Sequence, residues 1–110
     1  MFNELTKLIK IIKNNKNKNS RVSYTASLFK RGKNFCIKKF IEEAKEFALS
    51  SKYSNKKNIV HEASDLLYHF LVLIEFKKIS ITSVMKELKK RQKISGIQEQ
   101  KNRKKNVRSK

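Results

Sequence analysis

Apolar residues in this chain recur mostly at spacings of three and four, the mark of amphipathic helices. Leu5, Leu8, Ile9 and Ile12 fall at i, i+3, i+4 and i+7 and predict a first helix, which the polar run from Asn14 to Ser20 ends. That run mixes Asn with Lys and reads as a low-complexity, mobile linker. The helix before it is free to pack on the body or on a neighbouring subunit. Ser23 can cap a short helical segment through Phe29 that stops near Gly32. A longer helix follows, with Asn34 as its candidate N-cap. Ile37, Phe40, Ile41, Ala44, Phe47 and Ala48 all lie within about 60° of Ala44 on a helical wheel and form its expected buried face.

Polar residues from Ser50 to Asn58 predict a loop. From Ile59 to Ile74 the chain is apolar on most sides, as a helix in the middle of a bundle would be. Ser80 can cap a final helix carrying Ile81, Val84, Met85 and Leu88, which fades near Ser95 and Gly96. Proline is absent and glycine occurs only at positions 32 and 96, so hairpin turn chemistry is scarce and a glycine-rich phosphate loop is excluded. The expected fold is all-α, an antiparallel helical bundle of four to five helices. The sequence divides into an N-terminal helix and linker over residues 1–20, a bundle domain over 21–99 and a basic tail over 100–110. With 110 residues a single core does all the stabilising, and a partner subunit would help considerably.

The single cysteine, Cys36, cannot close an internal disulfide, and no Cys/His spacing resembles a zinc site. A reducing cytoplasm is the compartment this suggests. Lys7, Lys10 and Lys13 interrupt the N-terminal apolar cluster, no small-residue cleavage site follows it, and no apolar run approaches the roughly 18 residues of a membrane span. Neither a signal peptide nor an anchor is expected.

Net charge changes the picture more. At +19 the chain favours polyanionic partners, although part of the excess reflects a composition rich in Lys, Asn and Ile. Charge alone does not choose between nucleic acid and nucleotide. From Gln100 onward there are six Lys or Arg and no acid; such a tail is expected to be disordered when free and to add weak, non-specific polyanion binding.

Against this background the acids are concentrated. Residues 5 to 41 hold eleven Lys or Arg and no Asp or Glu, whereas five of the nine acids fall between 42 and 65: Glu42, Glu43, Glu46, Glu62 and Asp65. Glu43 and Glu46 are three residues apart beside the apolar stripe of one helix, and Glu62 and Asp65 are three apart on the next. Carboxylates at i and i+3 on two adjacent antiparallel helices can converge on one patch. Left empty, such a patch is repulsive. A hard divalent cation such as Mg2+ removes the repulsion and keeps positions open for water and phosphate. The alternative is a solvated surface on which these acids face lysines. Glu42 suits either reading, because it points outward among Lys38, Lys39 and Lys45. The solvated reading is weaker for Glu62 and for Asp65, the only aspartate of the chain, because their helix is otherwise apolar. His69, a turn beyond Asp65, reads as a satisfied core histidine or as a group orienting a carboxylate.

The pattern Glu42-Glu43-x-x-Glu46, a spacer, then Glu62-x-x-Asp65 resembles the all-α MazG-like superfamily of nucleoside-triphosphate pyrophosphohydrolases. Ser23-Tyr24-Thr25-Ala26-Ser27-Leu28-Phe29, Gly32, Lys39, the run Glu62-Ala63-Ser64-Asp65-Leu66-Leu67-Tyr68-His69, and Glu87-Leu88 with Arg91 before Ser95-Gly96-Ile97 narrow the resemblance to the phosphoribosyl-ATP pyrophosphatase family over roughly residues 21 to 103. The family usually has Gly where Ile41 stands and Lys where Gln100 stands. The resemblance implies hydrolysis of phosphoribosyl-ATP between its α and β phosphates, the second step of histidine biosynthesis, by a dimer. It places Glu43, Glu46, Glu62 and Asp65 at the Mg2+-binding positions and Glu42 where it could position or deprotonate the attacking water. Lys39, Arg91 and Arg103 would hold phosphate oxygens. Two other activities fit parts of the sequence: a house-cleaning pyrophosphohydrolase acting on non-standard nucleotides, and a basic helical module that binds nucleic acid. The clustered acids and the lack of interleaved aromatic and basic residues argue against the latter.

Overall fold

In the computed structural model, which describes residues 3–92, the periodic segments form five α-helices: α1 Asn3–Asn15, α2 Tyr24–Arg31, α3 Lys33–Tyr53, α4 Lys56–Phe76 and α5 Ile81–Gln92. No strand occurs among the described residues. Residues up to Ile79 form one compact unit holding α1 to α4, and a second unit begins at Ser80 and holds α5. No described helix is long and apolar enough to cross a membrane.

Short polar residues and one glycine set the helix boundaries. The Ser23 hydroxyl accepts the Ala26 N–H at 3.1 Å and caps α2. Gly32, at φ 97° and ψ 176°, then turns the chain in a conformation that L side chains rarely adopt. Its N–H bonds back to the Leu28 and Phe29 carbonyls, while its own carbonyl accepts from Cys36. One residue thus ends α2 and opens α3, so the start of α3 is Lys33 rather than a helix capped by Asn34.

The loop expected from Ser50 to Asn58 is only Ser54 and Asn55. Ser50 and Ser51 instead continue α3, because each hydroxyl donates to the Phe47 carbonyl, at 2.8 and 2.9 Å, and so is satisfied inside the helix. Asn55 caps α4 by accepting the Asn58 N–H at 3.0 Å. The two-residue connection makes α3 and α4 an antiparallel hairpin, with Phe40 against Phe70 at a ring separation of 6.5 Å.

The face that α3 turns toward the rest of the chain is rotated from the expected one. Cys36, Glu43 and Ser50 are buried and Phe40 and Phe47 half-buried, whereas Ile37 and Ile41 are exposed. The apolar arc of α3 is wider than one neighbour can cover, and α4 takes one edge of it. Ile41 accordingly lies on a surface, not in a core. The buried apolar residues, Ile12, Ala26, Leu28, Cys36, Leu71 and Val72, gather where α1 and α2 meet the start of α3 and the end of α4.

Charged side chains at the end of α1 and just after it meet the end of α4. Lys16 Nζ lies 2.7 Å from Glu75 Oε2, Lys13 Nζ 3.7 Å from Glu75 Oε1, and the Arg21 N–H donates to Asn19 Oδ1 at 2.9 Å. These charges fix α1 to the end of α4, on which Ile12 is sealed at 1 % exposure. Ser80 accepts the Ser83 N–H at 3.2 Å and opens α5.

Candidate active site

The antiparallel hairpin brings Glu43 and Glu46 of α3 opposite Glu62 of α4. Carboxylate oxygens of these three lie within 4.8 Å of one another. Asp65, one turn along α4, shares an overlapping group with Glu62 and His61 within the same limit, and its charge acts on Glu43. Glu62 is common to both groups. Glu42 stands apart with its side chain 44 % exposed, paired with Lys39 Nζ at 3.3 Å.

Glu43 is buried at 8 % exposure. Its Oε2, like Oε2 of Glu62, is a buried oxygen with no hydrogen-bond partner among the described residues. An orphaned buried acceptor costs about 1–3 kcal/mol, so the fold carries an unmet demand at this spot. Burial, then the charge of Glu46 and a side-chain hydrogen bond with it, then the charge of Asp65, push the Glu43 carboxyl up from its usual range, against the pull of Lys39. Oxygen-only donors with unfilled acceptor capacity fit a hard cation of the Mg2+ class. Glu43, Glu46 and Glu62 are the residues able to hold it, with Asp65 adjoining.

Lys39 stands at the rim, 3.7 Å from Glu43 Oε1 as well as beside Glu42. Burial works against its charge, but the Glu42 hydrogen bond and the nearby negative groups outweigh that and hold its pKa above the ordinary lysine value. His69 is buried with Nε2 3.9 Å from Glu43 Oε1, too far for a hydrogen bond. Burial, reinforced by Lys39, lowers its pKa and keeps the ring neutral at pH 7.

Sequence reasoning did not single out His61. Its Nε2 lies 3.4 Å from Asp65 Oδ2 on the exposed side of α4, and the i, i+4 spacing was the available signal. Nor did it anticipate the lock between α2 and α4, in which Thr25 Oγ1 and the Tyr68 hydroxyl share a 2.5 Å hydrogen bond. Arg91, on α5, pairs with Glu87 at 3.4 Å. Arg103, with Ser95-Gly96-Ile97 and Gln100, lies outside the described residues.

Residues 5–92 match the family profile described as Phosphoribosyl-ATP pyrophosphohydrolase. The chain is 48% identical over 82 residues to a histidine biosynthesis bifunctional protein HisIE of Wolinella succinogenes, covering 74% of this chain but 36% of that protein. It is 36% identical over 99 residues to a phosphoribosyl-ATP pyrophosphatase of Vesicomyosocius okutanii, covering 90% of this chain and 94% of the relative. It is 41% identical over 87 residues to a phosphoribosyl-ATP pyrophosphatase of Leptospira biflexa, covering 79% and 95%. The chain thus spans about a third of the bifunctional relative and nearly the whole of the other two. With the profile matched across all of α2, α3, α4 and α5, the chain belongs to the phosphoribosyl-ATP pyrophosphohydrolase family.

Proposed function

We propose that this chain hydrolyses phosphoribosyl-ATP to phosphoribosyl-AMP and pyrophosphate, the second step of L-histidine biosynthesis, in a Mg2+-dependent reaction at the α3–α4 carboxylate cluster. Family membership supports the reaction. The single observation that carries the site is that Glu43 and Glu62, whose carboxylates meet in one cluster across the hairpin, each keep a buried oxygen with no hydrogen-bond partner.

Glu43, Glu46 and Glu62, with Asp65, would hold the cation. Bound there, Mg2+ would supply charge to offset the polyphosphate and to acidify a water. Glu42, half-exposed beside the cluster, positions that water or takes its proton. The water oxygen bonds to phosphorus as the anhydride bond between the α and β phosphates breaks, and pyrophosphate leaves. Lys39 presents its ammonium to phosphate oxygens from the rim. His69, neutral and buried, stands behind Glu43 without a hydrogen bond to it.

The working unit is a homodimer. Ile37, Ile41, Leu49, Val60 and Leu67 are all exposed on the α3–α4 hairpin, and Phe40, Phe47, Ala63, Leu66, Leu67 and Phe70 line an open apolar recess of about 260 Å³. Apolar side chains gathered on one open flank support an interface there. A cytoplasmic setting suits the lone buried Cys36, whose thiol burial pushes up in pKa and leaves inert. The basic tail adds weak binding to polyanions.

The test is a substrate comparison. Purified chain with Mg2+ releases pyrophosphate from phosphoribosyl-ATP far faster than from dUTP or the common triphosphates at equal concentration. Preference for a non-standard nucleotide would move the assignment to a house-cleaning pyrophosphohydrolase. Tight nucleic-acid binding at physiological salt with phosphoribosyl-ATP untouched would move it to a binding module.

A further inference from the structure

Tyr24 opens α2 directly after its Ser23 cap. The adjacent Thr25 is fastened to the Tyr68 hydroxyl, so the first turn of α2 is pinned to α4 one turn beyond Asp65. This places the Tyr24 ring 6.1 Å from the Tyr68 ring at 25° and 6.1 Å from the His69 ring at 89°. His69 in turn faces Glu43 at 3.9 Å. Tyr24 therefore stands at the edge of the carboxylate cluster, held by its neighbours on one side.

More than half of Tyr24 is open to solvent. The residue is 56 % exposed, whereas His69 is buried and Tyr68 half-buried. A large aromatic ring fixed in place yet left in water does little for the fold, because the apolar area that would stabilise it is not removed from solvent. A flat ligand laid on it would remove that area. Bases stack on such rings irrespective of their edges, and a nucleotide that delivers its phosphates to Lys39 and the carboxylates carries a base within reach of the rim.

We infer that Tyr24 is the stacking platform for the purine base of the substrate, with Tyr68 and His69 as the support that holds the ring at the rim of the phosphate site. This assignment rests on the reaction proposed above. Tyr24 adds affinity through the base and takes no part in bond cleavage.

Calorimetric binding of two probes in the presence of Mg2+, AMP and inorganic pyrophosphate, tests the assignment without relying on turnover. Tyr24→Ala weakens AMP tenfold or more and leaves pyrophosphate within about twofold, and Tyr24→Phe restores AMP binding. For phosphoribosyl-ATP, the same Ala variant raises KM with kcat nearly unchanged. Unchanged AMP affinity overturns the assignment. So does an equal loss for AMP and pyrophosphate, or a change of oligomeric state by size-exclusion chromatography, since either reveals a structural role. Failure of the wild-type chain to hydrolyse phosphoribosyl-ATP would instead strike the reaction, while the AMP and pyrophosphate affinities would still decide the role of Tyr24.

Discussion

At Glu43 the proposed chemistry and the stability of the fold pull in opposite directions. Burial and the neighbouring carboxylates raise its pKa in the folded chain, so folding favours its protonated form. Its contribution to stability is fully present below the ordinary glutamate pKa and is lost as pH rises through the raised value. Without a divalent cation, Glu43→Gln, which has no charge to bury, should raise the melting temperature at pH 7 by a few degrees, on the order of 1 kcal/mol. Near pH 4 the difference should shrink. Mg2+ should stabilise the wild-type chain at pH 7 and the Gln variant much less. Thermal scans at both pH values in EDTA and in Mg2+ check this; a variant no more stable than wild type at pH 7 in EDTA contradicts it. The i, i+3 spacing of the acids was enough to place Glu43, Glu46 and Glu62 together, because helical periodicity converts spacing into geometry. It could not show that Glu43 would be buried. That depends on which edge of the α3 apolar arc α4 occupies, and periodicity fixes a face only to within the width of that arc.

At the level of elements, Ser23, Gly32 and Ser80 could be read as boundaries because their chemistry is local: a hydroxyl reaching an N–H three residues on, or a backbone without a Cβ. The Ser50 to Asn58 stretch misleads for the same reason, since serines that bond back to Phe47 look like loop formers by composition alone. The end of α4 had no glycine to announce it. There Lys78 takes φ 59°, and Ile79 N–H bonds to the Ile74 carbonyl at 2.8 Å, the left-handed closure that glycine usually provides. A side chain in that conformation is strained, so Lys78→Gly should stabilise the chain by about 0.5–1 kcal/mol, read as a higher urea midpoint with an unchanged slope. The ion pairs of Lys13 and Lys16 with Glu75 were illegible too, because they join residues about sixty apart in sequence.

For the whole molecule, the exposed apolar flank of the α3–α4 hairpin and the carboxylate cluster lie on the same two helices, so assembly and activity share a scaffold. Charge on that flank should split the proposed dimer: Ile41→Lys with Leu67→Lys should sediment as a monomer, whereas a dimer at micromolar concentration would place the interface elsewhere. The all-helical class was legible in the missing proline and the 3.6-residue periodicity; the exposure of the α3–α4 flank was not, because an apolar arc reads the same whether its own chain covers it or not. The account stands most directly on the metal. Pyrophosphate release from phosphoribosyl-ATP, measured against Mg2+ concentration for wild type and for Asp65→Asn, should rise saturably in the wild type, vanish in EDTA, and fall at least about 100-fold in the variant. Full activity in EDTA, or an Asp65→Asn chain as fast as wild type, would contradict it.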